Sequence, residues 1–199
     1  MTIDVNVLDA DEVFLDDIDE VIEDTMVEIF LLRSSNESEL ESVKAKAARH
    51  NALFYYAPIA LREKTDSKCL AFLVQNKQEL QLGCDKPIYI DAEILDEDAI
   101  ASLKASKQKG VILNATKTYP ELENFYVCLT NKNVGIFEEG LIEKLPLERL
   151  VLSSDYPEYG FEEIFALSKK ISDKNFRPDP SIIAAATKNC LNLFQLKKL

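Results

Sequence analysis

Histidine is almost missing from this chain: 199 residues contain one, His50. A single imidazole excludes the multi-histidine metal sites, and neither a Ser–His nor a Cys–His nucleophile pair is expected. Glycine is scarce too. Gly83, Gly110, Gly135, Gly140 and Gly160 are scattered, so no glycine-rich loop can cradle a phosphate. The four cysteines, Cys69, Cys84, Cys128 and Cys190, form no Cys-x-x-Cys pair. They read as reduced core thiols rather than a zinc site or a disulfide framework. No apolar run approaches the roughly 20 residues of a spanning helix. Met1-Thr2-Ile3-Asp4 has neither the basic stretch nor the apolar stretch of a signal peptide. A cytoplasmic protein with no membrane contact is the expectation. Basic residues are missing from the first 30 positions, which carry eleven Asp or Glu. Such a run reads first as a solvated helix face, and otherwise as a docking face for a basic partner.

What is present is a core. Hydrophobic residues make up 47% of the chain, more than a disordered chain carries. Net charge is −12, a field that repels phosphate backbones and disfavours nucleic-acid binding. Eight short apolar runs recur: Ile3–Val7, Val27–Leu32, Ala52–Ala57, Leu70–Val74, Pro87–Ile90, Gly110–Leu113, Phe125–Leu129 and Arg149–Leu152. They are mostly continuous rather than alternating, the pattern of strands buried on both faces of a parallel sheet.

Between them lie helical patterns. Asp11–Thr25 sets Phe14, Ile18, Val21 and Ile22 on one stripe. Glu37–His50 does so with Leu40, Val43 and Ala47, after a Ser-Ser-Asn start signal. Glu97–Lys107 and Phe161–Ile171 follow, and a last helix opens at Ser181 after Pro180. Strand and helix in repetition give an open doubly wound sheet or a closed barrel, and eight strands favour the barrel. The expectation is therefore one domain over residues 1–199: a compact α/β, TIM-type (β/α)8-like barrel at the lower size limit of about 200 residues. Pro58–Cys69, Gln75–Lys86 and Ala115–Asn124 are too short for a full helix and two loops. Helices there should be shortened or missing, leaving flanks that a protein partner or a second copy covers.

The C-terminal quarter carries a resemblance. Leu145-Pro146-Leu147-Glu148-Arg149-Leu150-Val151-Leu152-Ser153-Ser154-Asp155-Tyr156-Pro157 is similar to the stretch Ile-Pro-Leu-Asp-Arg-Leu-Leu-Leu-Glu-Thr-Asp-x-Pro of the TatD-like metal-dependent hydrolases. Thr187-Lys188-Asn189-Cys190-Leu191-Asn192-Leu193-Phe194 resembles that family's closing Thr-x-Asn-x-x-x-Leu-Phe. Lys86-Pro87-Ile88-Tyr89-Ile90-Asp91 resembles Lys-Pro-Val-x-Ile-His, and Gly110–Leu113 resembles Gly-x-x-His. Asp17–Leu32 and Ala47–Pro58 match in style, and much of the segment around the family's fourth and fifth strands looks deleted. The resemblance implies a barrel that holds divalent metal through a first-strand His-x-His, a Glu, two further His and the Asp of Glu-Thr-Asp. Such a metal lowers the pKa of a bound water and cleaves phosphoesters, often in DNA.

The ligands themselves are largely replaced. Asn6 and Leu8 stand at the His-x-His positions, or Val5 and Val7 in the other register. Asp91 and Leu113 stand at the two later His positions, and Ser153-Ser154 replaces Glu-Thr. Asp155 alone survives, as a vestigial catalytic residue. Asn6, Asp91 and Asp155, with Asn114 nearby, are expected at C-terminal strand ends, where they could hold magnesium or manganese or serve as polar pocket residues. His50 is expected at the opposite end of the barrel. Arg33-Ser34-Ser35-Asn36 reads as a helix cap before a phosphate cradle. Of Tyr55-Tyr56, one ring should pack in the barrel and the other against a helix, rather than both lining the pocket. The expected function is a degenerate TatD-like barrel without metal-dependent hydrolysis or cofactor, acting as a binding or scaffolding protein. The alternative is a metal-dependent phosphoesterase with a rebuilt carboxylate-rich site. A small-molecule binding protein using the barrel mouth is a third reading.

Overall fold

The computed structural model describes residues 1–8, 12–135, 146–175 and 177–196. Eight parallel strands pair in sequence order, β1 through β8. They are β1 (Ile3–Val7), β2 (Ile29–Arg33), β3 (Leu53–Pro58), β4 (Cys69–Val74), β5 (Ile88–Asp91), β6 (Gly110–Leu113), β7 (Phe125–Leu129) and β8 (Leu150–Leu152). Both faces of each strand are buried, which is why the runs are continuously apolar. Alternate residues serve two cores. Phe30, Leu32, Phe72, Ile90, Ile112 and Val127 face the helices. Ile29, Leu31, Tyr56, Leu73, Tyr89 and Val111 fill the barrel.

The helices are α1 (Glu12–Asp16), α2 (Ile18–Thr25), α3 (Glu37–Ala47), α4 (Glu97–Ser106), α5 (Glu163–Asn175) and α6 (Asp179–Phe194). Asp11–Thr25 reads as one helix, but α1 and α2 are separate, with Asp17 at the N-cap of α2 outside helical geometry. Asp11 lies outside the described residues. The last helix starts before Ser181, at Asp179, and takes Pro180 into its first turn, where a missing N–H costs nothing. The three short connections behave as their length requires. Ile59–Lys64 and Lys77–Gln81 are 3-10 turns, and 115–124 contains no helix. No strand is lost around β4 and β5; only the connections there are short. These turns still cover the strand backs, since Phe72, Val74, Ile88 and Ile90 are all buried. Among the described residues, the large apolar side chains left exposed are Met26 and Leu82.

The start of α3 is fixed by a reciprocal cap. Asn36 Oδ1 accepts the Glu39 N–H at 3.0 Å, and the Glu39 carboxylate accepts the Ser35 N–H at 2.7 Å. Asn36→Ala is expected to lower stability by about 1 kcal/mol, read by chemical denaturation. An unchanged midpoint would show that the cap carries no stability.

The bottom of the barrel is sealed by α6, which brings Cys190, Leu193 and Phe194 against the inner core. Asn189 donates to the carbonyls of Leu147 and Leu150 at 2.7 and 2.8 Å, and Thr187 donates to Met1 O at 2.9 Å. The conspicuous Asn of the closing motif thus anchors the start of β8. Arg149 is half-buried and fills a similar role, donating to the carbonyls of Phe125, Tyr119 and Leu122.

Candidate functional site

The barrel is nearly closed, and its seam is where the chemistry-bearing residues gather. Among the described residues the strand pairings run from β1 to β8, and no ladder joins β8 back to β1. Side chains and a single backbone hydrogen bond bridge that gap. Ser153 Oγ donates to Asn6 O at 3.0 Å, and Leu8 N–H donates to Tyr156 O at 3.1 Å. Both the N–H and the hydroxyl of Ser154 donate to Asp4 Oδ2, and the Asn6 N–H donates to Asp4 Oδ1 at 3.2 Å. Asp4 has no exposure at all. Burial pushes its carboxyl above the ordinary range, against the opposing pull of the bonds from Ser154, Asn6 and Ser153. Ser153 and Ser154, which replace the Glu-Thr of the motif that this stretch resembles, are therefore the clasp of the seam.

Asn6 is nine-tenths buried, and its Oδ1 accepts a hydrogen bond from the Tyr56 hydroxyl. Tyr56 stacks on Tyr89, with centroids 3.9 Å apart and planes at 5°. Tyr89 donates to Val5 O at 2.7 Å and stacks in turn toward Phe194. The barrel is thus filled from the mouth to α6 by rings whose hydroxyls are committed as donors. Burial raises both phenols well above their ordinary range, so neither is a base near neutral pH. Tyr55, as expected, points the other way, into the helix-facing core.

Asp155 follows β8 in left-handed geometry at φ 65°, which Asp tolerates better than most residues. Its N–H donates to Ser153 Oγ at 3.3 Å. Its carboxyl is raised by burial and held back by the Thr130 side chain and by the Lys132 charge and backbone. Asp155 Oδ2 is buried without a hydrogen-bond partner among the described residues. Asn6 and Asp155 thus share one sector through Ser153. Asp91 belongs to another: it ends β5, caps the 92–94 turn by accepting the Glu93 N–H at 3.0 Å, and accepts from Asn114 Nδ2. Leu113, at the other later position, is buried in the inner core. His50 lies in the turn between α3 and β3, away from the mouth. Its Nδ1 accepts the Ala52 N–H, and Nε2 faces Asp19 at 3.1 Å.

The donor set does not fit a divalent metal. The oxygens of Asn6, Asp4 and Asp91 are engaged by protein donors, and among the described residues no group of three or more His, Cys, Asp or Glu is placed to hold an ion. The cysteines offer no activated nucleophile. Burial raises all four thiols, Cys69 to about 11, so none offers a thiolate near neutral pH. Two participants escaped the sequence reading. Asp4 could have been flagged as an ionisable residue inside an apolar strand, and Tyr89 as a ring at an inward position.

A search of known family profiles finds no match for the chain, and no curated protein matches it in sequence. Solved structures do match in shape. YjjV, a TatD homologue from Escherichia coli K12, superposes with a TM-score of 0.75 at 14% identity, covering 98% of each chain. The chain has the fold of the TatD-type hydrolases. A TatD-family hydrolase from Entamoeba histolytica gives 0.67 at 11% identity, over 96% of this chain and 97% of that one. An uncharacterized amidohydrolase from Saccharomyces cerevisiae gives 0.66 at 11%, over 96% and 99%. At these identities the likeness is one of architecture: this TatD-type barrel shares its fold with those proteins. Among the described residues, no helix is long and apolar enough to cross a membrane.

Proposed function

We propose that this TatD-type barrel is a binding or scaffolding protein that does not carry out metal-dependent hydrolysis. The observation that supports the reading is the pairing of Asn6 with Tyr56 and of Asp4 with Ser154. Polar groups that satisfy one another resist recruitment by an ion, because ligation would strand their present donors in a buried place. A protein partner or a second copy is the expected ligand of the scaffold. With few large apolar side chains exposed among the described residues, docking would rest on the acidic surface. A cytoplasmic setting fits the reduced thiols.

One observation favours the alternative, a phosphoesterase with a rebuilt oxygen site: the unpartnered, buried Asp155 Oδ2. Turnover of bis-(p-nitrophenyl) phosphate with added magnesium or manganese separates the two. The expected result is no rate above the metal-only blank, for the wild type and for Asp155→Ala alike. A metal-dependent rate that disappears in Asp155→Ala would establish the phosphoesterase.

A further inference from the structure

Beside the filled lumen there is open space at the same end of the barrel. A cleft of about 440 Å³ opens at the C-terminal ends of β1 and β2, against one face of α3. Its volume falls in the range of small-molecule sites, roughly 300–1,000 Å³. Val7, Leu32 and Val43 supply apolar wall, and Ser35 and Ser42 supply hydroxyls. Arg33 and Lys46 are the cationic residues of the cleft's lining. Arg33 is half-buried, and its one hydrogen bond among the described residues runs from Nε to Ser35 Oγ at 3.1 Å.

That is an unusual state for an arginine in a chain of net charge −12. Arg49 is held by Glu12 and Asp16, both at 2.7 Å, and Arg62 by Glu63. Arg149 rests on backbone carbonyls. Arg33 has no ion pair among the described residues, and its charge acts on the buried Tyr56 phenol instead. The nearby carboxylate that lines the cleft, Glu39, is turned to the Ser35 N–H and the Asn36 amide. Among the described residues neither Nη group of Arg33 makes a hydrogen bond, and a guanidinium binds a carboxylate or phosphate through two parallel hydrogen bonds.

We propose that this cleft binds a small organic anion, a monocarboxylate or monophosphate with a short apolar portion, with Arg33 holding the anionic head. The apolar portion would lie on Val7, Leu32 and Val43, and Ser35 or Ser42 would donate to the remaining oxygen. The seam and the lumen take no part, so the site stands whether or not the barrel hydrolyses anything. Its failure and the failure of the scaffold reading are therefore separate results.

The test follows the arginine Nε–H resonances of the full chain by NMR during titration with inorganic phosphate and, separately, with isobutyrate. Sodium chloride at matched ionic strength serves as the control. The expected result is a saturable shift of the Arg33 Nε–H with at least one probe, and the probe with the tighter response names the head-group class. Arg33→Gln should weaken that response roughly tenfold to a hundredfold, the value of charge-assisted hydrogen bonds. If Arg33→Gln does not fold, Arg33→Lys and the wild-type resonance carry the decision. No saturable shift with either probe, a shift matched by chloride, or equal affinity in a folded Arg33→Gln overturns the site.

Discussion

Gly110→Ala is expected to destabilise the chain by about 3 kcal/mol or more, a fall of roughly 10 °C in Tm for a protein of this length. Gly110 opens β6 directly across from Ile88 of β5 and Phe125 of β7. A Cβ built there would stand 2.0 Å from the Ile88 carbonyl oxygen and 2.8 Å from the Phe125 ring. The ring could turn aside, but the carbonyl belongs to the strand ladder and cannot move without opening it. The comparison is Gly135→Ala, where an added Cβ meets nothing within 4 Å. That variant should leave the thermal midpoint close to wild type. Equal midpoints for the two variants would mean that β5 and β6 are farther apart than described.

Asp4→Ala should cost about 3 kcal/mol, because it leaves the Ser154 hydroxyl and two buried N–H groups without an acceptor. It also removes part of the clasp between β1 and β8, whose backbones form no ladder among the described residues. Asp4→Asn keeps one acceptor oxygen and should cost less, about 1 kcal/mol. Its diagnostic effect is on pH dependence. The folded carboxyl of Asp4 titrates above its ordinary value of 3.8, so the folded state binds a proton that the unfolded chain releases. The stabilisation from this group is complete below 3.8 and is lost as pH rises through the raised value. Wild-type stability should therefore decline from about pH 4 toward neutrality on this account, and the decline should be shallower in Asp4→Asn. Asp155, also raised, contributes with the same sign and keeps some slope in the variant. Urea midpoints across that range provide the measurement. An identical slope in the two proteins would show that Asp4 is not a buried, proton-binding group.

The strands were legible because each had to be buried on both faces. That leaves a run such as Ile29–Arg33 or Phe125–Leu129 with almost no polar interruption. Connections too short to hold a helix were legible by counting. The seam was not, because its bonds join residues at opposite ends of the chain. Asp4 and Ser154 are 150 positions apart, and Asn6 and Ser153 are 147 apart. Local pattern cannot reveal that a serine pair serves a distant aspartate. The mouth was legible in part. Asn6, Asp91 and Asp155 were placed at strand ends, but sequence could not show that Asp91 pairs with Asn114 in a different sector. Nor could it show that Tyr56 takes the oxygen of Asn6. Arg33-Ser34-Ser35-Asn36 combined two roles. Asn36 is the cap, and Arg33 lines the cleft.

The central claim is that the mouth oxygens serve one another rather than a metal. Its most direct test is the metal content of the full chain, purified without chelators and dialysed against zinc, manganese and magnesium in turn, read by elemental analysis. The account predicts far less than stoichiometric metal for each ion, with no difference between the wild type and Asp155→Ala. A stoichiometric ion that is retained on dialysis and lost in Asp155→Ala would contradict it.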